Sequence, residues 1–98
     1  LTTLKEYGNG NKNLLSFGEK GLSITLDIAL NGNFTEVYKE FEKKFGNKDI
    51  KIYLAKDSFM SQTFFKNTYS KLNNFIELQK KINPNSTFKS KLSERLGL

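Results

Sequence analysis

The sequence contains neither cysteine nor histidine. Without cysteine it can form no disulfide framework and no thiolate metal site. Without histidine it lacks the commonest general base and the commonest metal ligand, which excludes a catalytic triad, a zinc centre and a metalloprotease helix. No apolar run approaches the roughly 18 residues of a membrane span, and no signal-peptide pattern occurs. We therefore expect no transmembrane segment and a cytoplasmic location.

Arginine is nearly absent as well, although the formal net charge is +6. Of the sixteen basic residues only Arg95 is an arginine, and the lysines are spread along the chain without a dense block. Arginine is the preferred reader of bases and phosphates, so its scarcity favours a general lysine-rich composition over a nucleic-acid surface. A small basic α+β module that binds RNA or DNA stays open as the alternative function.

The length of 98 residues predicts one domain. Nine phenylalanines and four tyrosines supply large buried areas for its core. Because the chain begins with Leu1 and not with methionine, we expect residues 1–98 to be a piece of a longer protein. Such a piece can fold and still lack part of an active site.

Two strands are indicated near the start, over residues 1–7 and 21–30. In the second, large aliphatic residues alternate with small polar ones, which predicts a strand with one face in the core. The other face carries Ser23, Thr25 and Asp27 in place of the long charged side chains usual on a solvent face. That face fits either the floor of a polar cleft or a solvent face of good strand formers.

A helix is predicted over residues 34–45, capped by Asn33 and ended by Gly46. Its helical stripe is assigned to the core: Phe34, Val37, Tyr38, Phe41 and Phe45. A third strand is predicted over residues 50–54. The resulting β-β-α-β order predicts an α+β fold, an antiparallel sheet backed by helices. Further helices are predicted over residues 61–66, 69–82 and 90–96.

Few residues offer chemistry. No glycine-rich phosphate loop opens a helix, so a dinucleotide fingerprint is rejected. The remaining candidates are Lys5, Tyr7, Tyr53, Lys56 and Asp57. A lysine beside an acid, as at Lys56 and Asp57, is usually part of a surface ion pair. From composition and pattern alone the sequence predicts no more than a soluble α+β domain.

Several segments in order resemble the C-terminal end of the FAD-linked oxidases of the vanillyl-alcohol-oxidase superfamily, over nearly the whole chain. The most specific is YLAKDS at residues 53–58, and LKEYGNGN at residues 4–11 is another. The remaining segments are residues 14–17, the strand at 21–30, KINP at 81–84, and a closing pattern of Phe88, Ser90, Leu92, Arg95 and Leu96. Their order and spacing make chance similarity improbable.

The resemblance implies that the chain is part of a substrate, or cap, domain, whose partner is an FAD-binding domain elsewhere in the same parent protein. The parent would oxidise a sugar-like alcohol by hydride transfer to FAD, and this piece alone would be inactive. Lys56 is implied as the catalytic residue, a fixed positive charge beside the flavin. Tyr53 is implied to contact the flavin with it. The implied substrate-binding residues are Lys5, Tyr7, Ser23 and Thr25. A purely structural interaction domain is the third hypothesis.

Overall fold

The computed structural model describes residues 1–98 and is an α+β fold with two strands and four α-helices. The strands are β1 (Thr2–Tyr7) and β2 (Gly21–Leu26). The helices are α1 (Phe34–Phe45), α2 (Gln62–Thr68), α3 (Leu72–Ile82) and α4 (Lys91–Leu96), with a single 3₁₀ turn at Leu54–Lys56. None of these helices has both the length and the apolar character needed to cross a bilayer.

The sheet is a two-stranded antiparallel hairpin. The predicted third strand over residues 50–54 is wrong, and so is the β-β-α-β order, because this segment has no strand beside it to bond with. Its alternating side chains are nevertheless used, since Ile50, Ile52 and Leu54 pack against the helical core. The carbonyl of Ile52 accepts a hydrogen bond from the Tyr69 hydroxyl at 2.7 Å instead of from a strand.

The core lies entirely among the helices and the segment that leads into them. Its six buried residues are Met60, Phe64, Phe65, Tyr69, Leu72 and Leu96. Phe41 and Phe45 of α1 pack against this cluster, as predicted, but Val37 is exposed and no residue of α1 is fully buried. Leu15 also reaches the cluster, so the loop after β1 is anchored on the core.

Side-chain caps explain where the later helices begin. Ser61 accepts a hydrogen bond from the Phe64 amide at 3.1 Å, and α2 starts at the next residue. Ser90 and Ser93 form a reciprocal capping box that starts α4. Asn33, by contrast, makes no side-chain cap at the start of α1, contrary to the prediction.

The apolar face of the hairpin is not in the core, and no helix covers it. The strand β2 ends at Leu26, so residues 27–30 continue without regular structure. The six large aliphatic residues of this region are between 56% and 70% exposed: Leu4, Leu22, Ile24, Leu26, Ile28 and Leu30. The predictions that this face lies in the core and that helices back the sheet are therefore both wrong. The strand register places Leu4, Leu22, Ile24 and Leu26 on one face, and Ile28 and Leu30 follow in the chain; we call these six residues the hairpin apolar face.

Candidate functional site

The register of the hairpin brings all four predicted substrate-binding residues onto one face. Lys5 lies opposite Ser23, and Thr3 lies opposite Thr25. Directly opposed residues of an antiparallel pair share a face, and alternate residues along a strand do so too, which adds Tyr7 to this face. Ser23 and Tyr7 are half-buried, whereas Lys5 and Thr25 are exposed. This polar face is opposite to the hairpin apolar face.

An aromatic contact joins the hairpin to the segment before the 3₁₀ turn. The Phe17 ring packs edge-on against Tyr7, with 6.0 Å between centroids, and lies 5.2 Å from the ring of Tyr53. Tyr53 remains 48% exposed, so much of its ring is accessible. The structure thus brings Tyr7 and Tyr53 to one region through Phe17, a residue that was not among the predicted site residues.

Lys56 is the last residue of the 3₁₀ turn and is exposed. Its amide donates to the Tyr53 carbonyl at 3.0 Å, which closes the turn and sets the spacing between the two residues. The Lys56 ammonium takes part in no ion pair or hydrogen bond within the chain, so no polar contact links it to Ser23 or Thr25.

Asp57 does not form the surface ion pair that its sequence position suggested. Its side chain is only 2% exposed, and its Oδ2 accepts a hydrogen bond from Arg95 Nη2 at 2.6 Å. Its Oδ1 accepts from the amides of Phe59 and Met60 at 3.0 and 2.8 Å. Sequence reasoning did not pair these residues, since 38 positions separate them; the one signal was that Arg95 is the only arginine.

Two tyrosine hydroxyls beneath this segment have raised pKa values. Burial, together with the negative charge of Asp57, raises the pKa of Tyr69 to about 12. Burial also raises the pKa of Tyr38 well above its usual range, and the charges of Asp57 and Glu42 add to the effect. The Tyr38 hydroxyl is buried without a hydrogen-bond partner. Both groups are therefore neutral phenols at physiological pH.

A second ion pair lies between the loop after β1 and the segment before Tyr53. Lys51 donates to Glu19, and this hydrogen bond, with the charge of Lys51, lowers the pKa of the Glu19 carboxyl. The Lys51 ammonium also lies 5.7 Å from the centre of the Tyr69 ring. The Lys51 ammonium is therefore fixed by an ion pair, whereas the Lys56 ammonium has no polar partner in the chain.

The fold and this arrangement define a small α+β unit with an exposed lysine and an aromatic contact, and sequence comparison adds a distant relationship to an oxidase. No protein-family model matches the chain. It is 26% identical over all 98 residues to decaprenylphosphoryl-β-D-ribose oxidase of Mycolicibacterium smegmatis, of which it covers 21%. It is 30% identical over 96 residues to a Streptomyces coelicolor protein described as an uncharacterized protein in the mprA 5′ region, of which it covers 26%.

The chain therefore spans only about a fifth to a quarter of the length of the curated relatives it matches. At this identity the relationship is coarse. It agrees with the resemblance to oxidases drawn from the sequence. The roles of Lys5, Tyr7, Ser23, Thr25, Tyr53 and Lys56 are not tested by it and stay predictions.

Proposed function

We propose that this chain is the C-terminal substrate-domain part of an FAD-dependent oxidoreductase that oxidises a sugar-like alcohol. The observation that carries the proposal is the alignment with an oxidase, which runs through the whole chain and so through residues 53–58. The activity belongs to the parent protein, and a cytoplasmic location is part of the same proposal.

The residues near the 3₁₀ turn fit a flavin. Tyr53 offers an accessible aromatic ring, and Lys56, three positions later, offers an ammonium group that no residue of the chain neutralises. A flat aromatic group and a nearby cation are suited to contact a planar ring that gains negative charge. We assign Tyr53 and Lys56 to flavin contact on this basis.

A bound flavin would supply the acceptor for the hydride that leaves the alcohol carbon. The role of Lys56 is to provide a positive charge that favours the development of negative charge beside it. Lys5 and Ser23, which lie opposite each other, and Thr25 supply hydrogen-bonding groups for the hydroxyls of a sugar-like substrate. Tyr7, on the same face, supplies an aromatic ring that packs on Phe17.

The partner we propose for the hairpin apolar face is the rest of the parent's substrate domain, so that its FAD-binding domain can bring the flavin to the opposite, polar face. A contiguous exposed apolar surface marks a site of interaction. The oxidase relative is almost five times as long as the aligned region, which leaves ample polypeptide to cover the face. This arrangement would place the polar face, with Lys5 and Ser23, on the opposite side of the hairpin.

The alternative of a nucleic-acid-binding module gains no support from the hairpin. Such a module needs aromatic and basic residues together on an exposed sheet face. The more exposed face carries leucine and isoleucine, and the polar face offers only one lysine, Lys5, with the half-buried Tyr7. Filter binding at low salt, with a steep loss of binding as salt rises, would be the result that favours it.

The test is substitution of Lys56 in the full-length parent protein purified with its flavin. Lys56→Ala is expected to lower kcat by roughly 100-fold, because the charge acts in the transition state. Lys66→Ala is the matched control, since Lys66 is an exposed lysine of α2 that forms no ion pair. The visible absorption of the flavin confirms that both variants are loaded.

Three results would contradict the proposal. A parent protein that binds no flavin would contradict the proposed cofactor. A Lys56→Ala variant that retains its flavin and reacts at the full rate would contradict the proposed role of Lys56. An equal loss of rate in the Lys66→Ala control would show that the effect is not specific to Lys56.

A further inference from the structure

Arg95 reaches from the last turn of α4 to the segment that follows Lys56. Its Nη2 donates to Asp57 Oδ2 at 2.6 Å, and its Nη1 donates to the Met60 carbonyl at 2.5 Å. The two ends of one guanidinium group therefore hold both ends of residues 57–60. A planar guanidinium with a rigid fork of donors is suited to such a two-point contact.

The Asp57 carboxylate accepts three hydrogen bonds, and Arg95 is its one charged partner within the chain. Its second oxygen accepts from the amides of Phe59 and Met60, so the same side chain closes the turn onto itself. The Asp57 amide donates to the Leu54 carbonyl at 3.4 Å at the end of the 3₁₀ turn. The backbone on the C-terminal side of Lys56 is thus fixed by Asp57, and Asp57 is fixed by Arg95.

The Lys56 side chain has no comparable support of its own. It is exposed, and its ammonium group contacts no partner in the chain. A lysine stem has four flexible carbon–carbon bonds. Because no residue of the chain holds this stem, the backbone of the turn from which it starts sets the region that its charge can reach.

We propose that Arg95 is a positioning residue that holds the Lys56 turn in place through Asp57, so that the C-terminal helix α4 determines where the Lys56 charge stands. The inference rests on the proposed function for the role of Lys56 in the reaction. Arg95 itself contacts neither flavin nor substrate in this proposal. Its effect on the rate should therefore require the presence of Lys56.

A double-substitution cycle in the flavin-loaded parent protein tests this dependence. Arg95→Ala is expected to lower kcat by roughly 10- to 100-fold, as for a reacting group displaced by about 1 Å. In the Lys56→Ala background the same substitution is expected to change kcat by less than about twofold, because the residues act as a unit. Arg95→Lys should restore part of the rate, since it keeps the charge but not the fork.

The matched control is Lys91→Ala, which removes one positive charge from α4 at an exposed position without an ion pair. It should leave kcat unchanged. If Arg95→Ala does not accumulate as folded protein, Asp57→Asn replaces it, because it keeps the shape of the side chain while it removes the charge and turns one acceptor oxygen into an NH2 donor, which cannot accept from Arg95. Asp57→Asn is expected to lower kcat, as Arg95→Ala does.

Hydrogen exchange of residues 57–61 separates this inference from the proposed function. The amides of Phe59 and Met60 donate to Asp57, so Arg95→Ala should speed their exchange by roughly 10-fold or more, whereas Lys91→Ala should not. If these amides exchange at the same rate in Arg95→Ala and Lys91→Ala, the positioning role of Arg95 is contradicted, while the proposed function is unaffected. Multiplicative losses of rate in the double variant would also contradict the positioning role. An unchanged rate in Lys56→Ala would instead overturn the proposed function.

Discussion

The hairpin and the helical part of this chain differ in how they use their apolar residues. Every fully buried apolar side chain lies between Met60 and Leu96, and none lies in the hairpin. The hairpin apolar face carries six large aliphatic residues that are more than half exposed. The two regions have similarly alternating or periodic apolar patterns, but only the helical pattern meets a complementary surface.

This difference shows which part of the chain forms a closed core without further partners. The helices close around a core and satisfy their ends with caps from Ser61 and Ser90. A two-stranded hairpin is marginally stable alone and needs packing against a further surface. We therefore expect the helical part to carry the stability of the isolated chain, and the hairpin to acquire its full stability only within the parent protein that we propose.

The largest effect is expected from Phe65→Ala in the isolated chain. Phe65 is 0% exposed at the centre of the core, and removing a buried phenylalanine costs about 3–5 kcal/mol. Leu4→Ala in the hairpin is the matched control, and its change should stay within about 0.5 kcal/mol. Urea unfolding of both variants measures the difference, and equal losses would break the comparison between the regions.

The next effect is expected from Arg95→Ala. Breaking a buried ion pair costs about 3–5 kcal/mol, and because Arg95 is 29% exposed we expect about 2–3 kcal/mol here. Lys43→Ala breaks the pair with Glu40 on the exposed face of α1 and should give no measurable change. Similar losses from both variants, measured by urea unfolding, would contradict a special role for the Asp57 contact.

A smaller effect is expected from Tyr69→Phe, which removes the hydrogen bond to the Ile52 carbonyl. The loss should be about 1 kcal/mol at neutral pH. The pKa of Tyr69 is raised to about 12 in the folded chain. The neutral Tyr69 hydroxyl therefore stabilises the folded chain fully below pH ~10, the pKa of an unfolded tyrosine. This stabilisation is lost as the pH rises from there towards 12.

We expect the stability of the native chain to fall above pH ~10, and Tyr69→Phe should weaken that fall. Unfolding free energies measured at several alkaline pH values check this. Tyr53→Phe is the control, because Tyr53 is about half exposed and its hydroxyl forms no hydrogen bond within the chain. An identical pH dependence in native chain and Tyr69→Phe would contradict the assignment.

The smallest effect in the isolated chain is expected from Ile24→Lys. Ile24 is 65% exposed on the hairpin apolar face, so its replacement should change stability by no more than about 0.5 kcal/mol. In the parent protein the same substitution should cost several-fold more, because it would bury an unpaired charge. Thermal unfolding of the isolated chain and of the parent protein measures the two effects. An equally small effect in the parent would contradict the proposal that a partner covers the hairpin apolar face.

The local features of the fold were predictable from the sequence. The α1 pattern and Gly46 located the first helix, and Ser61 and Ser90 located the starts of α2 and α4. These signals depend on residues a few positions apart. The α+β class was also predicted from the mixture of strand and helix patterns, although the β-β-α-β order used for it is wrong.

The features that depend on distant partners were not predictable. The segment 50–54 has a strand-like pattern. A strand also requires a neighbouring strand, and the presence of that neighbour depends on the tertiary structure. For the same reason alternation in β2 indicated which residues share a face without showing what covers it. Asp57 and Arg95 were each visible, yet only the folding of α4 onto the core brings them together.

The most direct test of the central claim is hydrogen exchange of the β1 and β2 amides, measured in the isolated chain and in the full-length parent protein. The account predicts that the hairpin exchanges far faster than α2 in the isolated chain, and that its protection rises by roughly 100-fold or more in the parent, while protection of α2 changes little. Equal hairpin protection in both forms would contradict it, because the hairpin apolar face would then have no partner in the rest of the protein.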